Sequence, residues 1–218
     1  PRYAFGPHGP TEDPDDDPEP EPTPEEKAKE EAEVGARETI ETDFVPDIAT
    51  PDGFTITGSG WTFDAVFTPG HTSNHLCAHL DTENALFTGD HIMGWSTTVV
   101  SPPDGNMADY FASVRKLQAR SDAILYPTHG NPITNPKPFL AAYLEHRVER
   151  ERQIIAILEN GERTIKQMVE VMYVDVRKEL HKAARRSVLA HMHKLVGDGV
   201  VITKNGEPPR ATSIYAIR

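Results

Sequence analysis

Three short runs of strand-forming residues each end in a glycine-containing turn that carries a histidine or an aspartate. The segments are TPGHT at residues 68–72, FTGDH at residues 87–91 and YPTHG at residues 126–130. Strands held in one sheet can aim the side chains that follow them at a single point. This feature constrains the chain most, because it requires a sheet and predicts that three polar side chains meet at its edge.

Those side chains are His71, Asp90 and His129, and their chemistry suits a metal ion. Neutral imidazole and carboxylate together are ligands for zinc, manganese or iron(II). A carboxylate placed between two metal ions can bridge them at a separation of about 3.5–4 Å. Each turn taken alone is more often structural, so the prediction depends on the three occurring together.

The pattern around these turns predicts a small sheet with helices. Hairpins are expected over residues 54–67 and 75–88, where Gly-Ser-Gly and Asp-Thr-Glu-Asn provide the turns. Apolar residues at helical spacing predict a helix over residues 107–120, and a long helix is expected over residues 136–160. Residues 123–126 form a predicted strand between the two helices.

The end of the chain has a pattern of its own. A helix is predicted over residues 164–173, a second from about Lys178 and a third over residues 183–198, followed by a hairpin over residues 200–217. This order is typical of a winged helix. We therefore predict two domains, over residues 1–160 and 161–218.

Charge is distributed unevenly along the sequence. The chain has a formal net charge of −12, and residues 12–33 alone carry 12 acidic side chains between prolines. Such a segment cannot bury a core and is expected to be a flexible spacer. From residue 137 onward there are 15 basic and 10 acidic residues. Nucleic-acid binding is therefore disfavoured for the acidic first part and left open for the basic tail.

Several classes of protein are excluded or disfavoured. Cys77 is the one cysteine, so an intrachain disulfide and a cysteine-based zinc site are both excluded. No apolar stretch is long enough for a transmembrane helix. No basic and apolar leader opens the sequence, so we expect a cytoplasmic protein without a membrane partner.

The order of the three turns resembles the second half of the metallo-β-lactamase-fold hydrolases, in the subgroup with a C-terminal winged-helix-like domain. The resemblance implies an α/β fold, the C-terminal portion of a metallo-β-lactamase αβ/βα sandwich followed by a small winged-helix-like domain. It also implies two zinc ions, with manganese or iron as alternatives. His71 would bind the first ion and His129 the second, and Asp90 would bridge them and position the hydroxide.

The family's opening H-x-H-x-D-H motif is missing from this sequence. The run at residues 2–5 is similar to a strand that would lie just downstream of it, and the first residue is Pro1. We therefore expect a fragment that binds at most one metal ion tightly and is inactive or nearly so. Apolar surface left exposed would associate with a second copy of the chain or with a retained N-terminal fragment.

Further residues are weaker candidates. Trp95, Ser96 and Thr97 follow the Asp90 turn and could line a substrate pocket, or form an ordinary loop. His75 and His91 could orient metal ligands, although packing is the favoured interpretation. In the tail, a solvated helix face is favoured over phosphate binding for the basic residues Arg185, Arg186 and Lys194.

Three functions remain open from the sequence. The first is a metal-dependent hydrolase acting on an ester, thioester or similar small acyl substrate. The second is a metal-dependent endoribonuclease that grips single-stranded RNA with the basic tail. The third is a non-enzymatic winged-helix regulator. Salt and chelators distinguish them, because RNA binding weakens steeply with salt and a hydrolase depends on its metal.

Overall fold

The computed structural model describes residues 46–218. The acidic segment at residues 12–33 and the strand expected at residues 2–5 lie outside the described residues. The division of the chain into residues 1–160 and 161–218 stays a prediction.

A five-stranded sheet forms the first part of the structure. Its strands lie in chain order: β1 (Thr55–Gly58), β2 (Trp61–Phe67), β3 (Leu76–Leu80), β4 (Ala85–Gly89) and β5 (Ile124–Pro127). Strands β1 to β4 pair antiparallel through short turns, as the two predicted hairpins require. β5 pairs parallel to β4, so the ends of these two strands lie at the same edge.

The crossover between β4 and β5 contains helix α1 (Met107–Gln118). Asn106 caps this helix, because its side-chain oxygen accepts hydrogen bonds from the amides of Ala108 and Asp109. Asp104, in the turn before the helix, accepts a hydrogen bond from the amide of Ser73, beside the first of the three turns.

One face of the sheet is covered by α1 and the other is not. The covered face and α1 share one core that includes Val66, Leu86, Phe111 and Val114. The opposite face, here named the open sheet face, consists of the side chains Ile56, Trp61, Phe63, Phe67, Phe87 and Tyr126. Among residues 46–218 no element covers it, and Trp61 and Phe87 are 41% and 40% exposed.

A long helix, α2 (Pro136–Glu159), connects the two parts of the structure and confirms the expected helix to within one residue. Leu140 and Tyr143, near its start, belong to the core of the sheet. Ile154 and Leu158, near its end, belong to the core of the C-terminal part. The helix therefore contributes to both cores.

The C-terminal part packs two helices against a small sheet. Helix α3 (Ile165–Met172) begins with a capping box in which Thr164 and Gln167 bond each other's backbone amides. Helix α4 (His181–Gly197) follows, and the sheet has the order β6 (Arg163–Thr164), β8 (Ile214–Ile217), β7 (Val201–Thr203). This is the helix and hairpin order of a winged helix.

Two sequence expectations for this part were wrong in detail. Separate helices were expected from Lys178 and over residues 183–198, but a single 3-10 turn at Lys178–Leu180 leads directly into α4. No glycine or proline separates the two segments, so nothing interrupts the chain between them. Strand β6 was missed because two residues are too few to show strand periodicity.

None of the helices described between residues 46 and 218 combines the length and apolar character needed to cross a membrane.

Candidate metal centre

The turn at residues 68–72 presents His71 at the end of β2. Gly70 has a φ of +137°, and a Cβ atom there would lie 2.3 Å from the Cα atom of Tyr110. Only glycine lets the turn approach α1 this closely. The His71 Nδ1–H donates a hydrogen bond to the carbonyl oxygen of Val99 at 2.6 Å. With Nδ1 used in this hydrogen bond, Nε2 is the ring atom left for a metal ion.

The structure brings His71, Asp90 and His129 together at one edge of the sheet. The Nε2 atom of His71 lies 4.0 Å from Oδ2 of Asp90, and the Nε2 atom of His129 lies 3.4 Å from Oδ1. Each carboxylate oxygen therefore faces a different imidazole. Oδ1 is buried and accepts no hydrogen bond from the described residues. An orphaned anionic acceptor between two imidazoles fits a cation.

The same arrangement does not fit a single ion held by all three side chains. Among the described residues no three histidine, cysteine, aspartate or glutamate side chains are grouped closely enough to hold one metal ion. If one ion lay between each imidazole and the Asp90 oxygen that faces it, the centre would hold two ions. Each ion would then have two protein ligands from this part of the chain, where zinc sites usually have three or four.

His129 follows β5 and is held against the loop that follows Asp90. The amide of Gly94 donates a hydrogen bond to the carbonyl oxygen of His129 at 2.8 Å. Gly130 has a φ of +97°, and a Cβ atom there would lie 2.7 Å from the Cα atom of Gly94. The two loops can approach only because both positions are glycine. The Trp95 ring lies beside His129, with 6.4 Å between the ring centroids.

Buried histidines lie behind the candidate ligands. His75 bonds the Thr68 hydroxyl through Nδ1 at 2.8 Å, and burial, helped by the neighbouring His71, lowers the pKa of His75 to about 4. His91 lies between His75 and Tyr110, with ring centroids 5.4 Å and 4.6 Å away. Burial lowers the pKa of His91 well below its usual range. Both rings are uncharged at neutral pH, and neither contacts a candidate ligand as a hydrogen-bond donor.

The predicted substrate-binding residues lie on the loop after Asp90. Trp95 is 74% exposed, and the carbonyl oxygen of Ser96 accepts a hydrogen bond from Tyr143. A shallow cavity of about 380 Å³ opens next to the His129 turn. Its lining does not come from Trp95, Ser96 or Thr97 but from Gly94, Asn131, Pro132, Ile133, Thr134, Asn135, Pro138 and Phe139.

Sequence reasoning missed the residues that hold this loop in place. The Thr98 hydroxyl donates a hydrogen bond to the carbonyl oxygen of Asp90 at 2.5 Å. Tyr143 and Arg147 on α2 bond the same loop. A signal was present, because Leu140, Tyr143 and Arg147 follow helical spacing and place a charged residue on the apolar face of α2.

Two family models match the sequence. The model described as Metallo-beta-lactamase superfamily matches residues 7–129, which is more than half of the chain. The model described as Beta-lactamase associated winged helix domain matches residues 164–207.

Two curated proteins are similar to about two thirds of the chain. Beta-lactamase-like protein 2 homolog of Caenorhabditis elegans is 37% identical over 151 residues, 69% of this chain and 50% of the relative. Atrochrysone carboxyl ACP thioesterase of Emericella nidulans is 32% identical over 154 residues, 69% of this chain and 49% of the relative. The chain thus spans about half the length of these relatives.

Solved structures share the fold. A metallo-beta-lactamase family protein from Thermus thermophilus superposes with a TM-score of 0.69 at 20% identity, covering 88% of this chain and 64% of that one. A beta-lactamase domain protein from Burkholderia ambifaria gives a TM-score of 0.71 at 20% identity, covering 81% and 55%.

Proposed function

This chain belongs to the metallo-beta-lactamase superfamily, and we propose accordingly that it carries one side of a binuclear metal centre that hydrolyses a thioester. One observation carries the proposal: the two oxygens of Asp90 face different imidazoles, those of His71 and His129, at 4.0 Å and 3.4 Å. A carboxylate in this position suits a bridge between two ions.

The chain's own residues would orient the centre. When bound, the two metal ions supply a Lewis acid for the carbonyl oxygen and lower the pKa of a water molecule. The hydrogen bond from the Nδ1–H of His71 to the carbonyl oxygen of Val99 fixes the ring, so that its Nε2 atom faces Asp90. The contact between the loops of Gly94 and His129 fixes the second imidazole. Because a positioned ligand loses little freedom on binding, these contacts favour metal affinity.

Zinc is the ion that we propose, with manganese and iron(II) as the alternatives that the same ligands accept. Cys77 does not contribute, because it is fully buried inside β3, and its sulfur contacts Thr68 and Thr88. Burial also raises the pKa of Cys77 to about 12, so its thiol stays protonated.

A thioester substrate is favoured over RNA by the name of one relative. One relative is named as an acyl-carrier-protein thioesterase. Lys194 is also paired with Glu151 and Asp198, and Lys204 with Glu162, so these two lysines are less available to RNA phosphates. The endoribonuclease and the regulator therefore remain weaker proposals.

The test is a chimaera in which residues 46–218 replace the matching part of the Emericella nidulans thioesterase. We expect thioester hydrolysis that chelators abolish and zinc restores, and that the Asp90→Asn substitution removes. Ser73→Ala, at an exposed position in the same turn region, serves as the control and should leave the rate unchanged. Chelator-insensitive hydrolysis, or full activity of the Asp90→Asn chimaera, would contradict the proposal.

The isolated 218-residue chain is tested separately by metal analysis. Since the described residues offer only two ligands for each ion, we expect at most one tightly bound equivalent and little or no turnover. Two equivalents of zinc with chelator-sensitive hydrolysis, and no second polypeptide on a gel, would show that the chain forms a complete centre by itself.

A further inference from the structure

We propose that Tyr143 and Arg147 of α2 are positioning residues for the candidate metal centre, an inference that rests on the proposed function. Neither side chain contacts His71, Asp90 or His129. Both instead hold the loop at residues 96–100, and groups of this loop bond two of the candidate ligands.

Tyr143 acts through its hydroxyl group. The amide of Thr98 donates a hydrogen bond to this hydroxyl at 2.7 Å, and the hydroxyl donates to the carbonyl oxygen of Ser96 at 3.1 Å. Tyr143 is 6% exposed, so both bonds lie away from solvent. One side chain therefore fixes the backbone on both sides of Thr97.

Arg147 adds a buried positive charge to the same loop. The residue is 3% exposed, and its Nη2 atom donates a hydrogen bond to the carbonyl oxygen of Thr98. Its guanidinium lies over the Tyr110 ring at 5.2 Å. Within residues 46–218 the structure gives this guanidinium no carboxylate partner. A buried charge without an ion pair is costly for stability, and its bond to the loop offers a reason for its presence.

The loop passes this restraint on to the ligands through two hydrogen bonds. The Thr98 hydroxyl bonds the carbonyl oxygen of Asp90 at 2.5 Å, and the carbonyl oxygen of Val99 accepts the Nδ1–H of His71 at 2.6 Å. Thr98 and Val99 are adjacent, so one short segment sets the position of Asp90 and the tautomer of His71. Contacts of this kind commonly orient metal ligands.

The C-terminal part of the structure fixes the far end of α2. Glu151, one turn beyond Arg147, bonds His191 at 3.3 Å and Lys194 at 3.1 Å, both on α4. Ile154 and Leu158 then enter the C-terminal core. The helix that holds the metal-centre loop is thus anchored in the winged-helix-like part.

The test compares Tyr143→Phe with the control Tyr173→Phe. Each substitution removes one hydroxyl group, and Tyr173 lies on the C-terminal part. Nuclear magnetic resonance of the ring nitrogens of His71 reports the tautomer of this histidine. Hydrogen exchange measures how fast the amide proton of Thr98 is replaced by solvent. We expect Tyr143→Phe to reduce the Nδ1–H form and to speed exchange at Thr98. We also expect about tenfold weaker Co²⁺ binding. Tyr173→Phe should change none of these.

Arg147→Lys, with Arg152→Lys as the exposed control on the same helix, provides a second pair of variants if Tyr143→Phe unfolds. Unchanged His71 tautomer and Thr98 exchange in both test variants would overturn the inference, even if the chain binds metal. If the thioesterase chimaera hydrolyses no thioester while the His71 tautomer and the Thr98 exchange respond as expected, the positioning contacts stand and the proposed function fails.

Discussion

At the scale of single residues, a row of aromatic and imidazole rings runs through the candidate centre. His71, His75, His91 and Tyr110 follow one another with centroid separations of 6.3, 5.4 and 4.6 Å. The Arg147 guanidinium covers the last ring. Burial keeps His75 and His91 neutral. Protonation of these two rings at low pH should therefore destabilise the fold here first.

The first prediction concerns acid stability. The pKa of His75 is about 4 in the fold, against 6.5 for the ordinary histidine of the unfolded chain. The unfolded chain therefore binds the proton first, and stability present above about pH 6.5 is lost as the pH falls toward 4. The full effect is about 3 kcal/mol. Urea unfolding at several pH values measures it, and His75→Gln should flatten the dependence. Equal slopes for the two proteins would contradict the assignment.

The second prediction concerns the contact between the two loops of the centre. Gly130→Ala should lower the free energy of unfolding by about 2 kcal/mol, because its φ is +97° and the new Cβ atom would clash with Gly94. Gly206→Ala is the control, since its φ is +69° and no atom lies within 4 Å of the added carbon. Chemical denaturation compares them, and equal losses would show that the loop contact is not tight.

At the scale of elements, α2 decides how the two parts of the molecule are related. Its first half packs in the core of the sheet through Leu140 and Tyr143. Its second half packs in the C-terminal core through Ile154 and Leu158, both almost fully buried. A domain boundary at residue 161 therefore separates the C-terminal part from α2, the helix that completes its core.

The third prediction follows from this shared helix. An excised chain beginning at Glu162 should be unfolded or molten, because it lacks two large apolar side chains of its core. A longer chain beginning at Glu149 retains Ile154 and Leu158 and should unfold cooperatively. Circular dichroism during heating distinguishes them. A cooperative transition of equal midpoint in both would show that α2 is not part of the C-terminal core.

At the scale of the whole molecule, the open sheet face is an apolar surface that no element within residues 46–218 covers. Its aromatic side chains contact one another across the sheet, with Phe63 and Phe87 at 5.9 Å and Phe87 and Tyr126 at 5.3 Å. A continuous exposed apolar patch of this kind usually marks an interaction surface. Sheets bury such faces by packing on another sheet about 10 Å away.

The fourth prediction is that the isolated chain associates through this face, with a second copy or with a retained N-terminal fragment. Sedimentation should show a species larger than one chain, and Phe87→Lys should shift it toward the monomer. Val174→Lys is the matched control, because Val174 lies on the C-terminal part and is 75% exposed. This substitution should not change the sedimentation of the chain. A wild-type chain that sediments as a monomer, without a bound N-terminal fragment, would contradict the prediction.

Local sequence patterns were enough to predict the strands β1 to β5, the long helix and the three turns of the candidate centre. Each of these depends on local physics: alternation along β2, helical spacing along α1, and glycine where the backbone needs a positive φ. The convergence of His71, Asp90 and His129 also followed from the sequence, because strand ends in one sheet share an edge. The ligand roles of these residues remain a prediction.

The distant groups that hold those residues became visible only when the elements had packed together. Thr98 and Tyr143 are 45 positions apart, and the hydroxyl of one meets the amide of the other only after α2 has packed beside the loop. Local sequence sets backbone conformation, whereas the partner of a buried polar group depends on how whole elements pack.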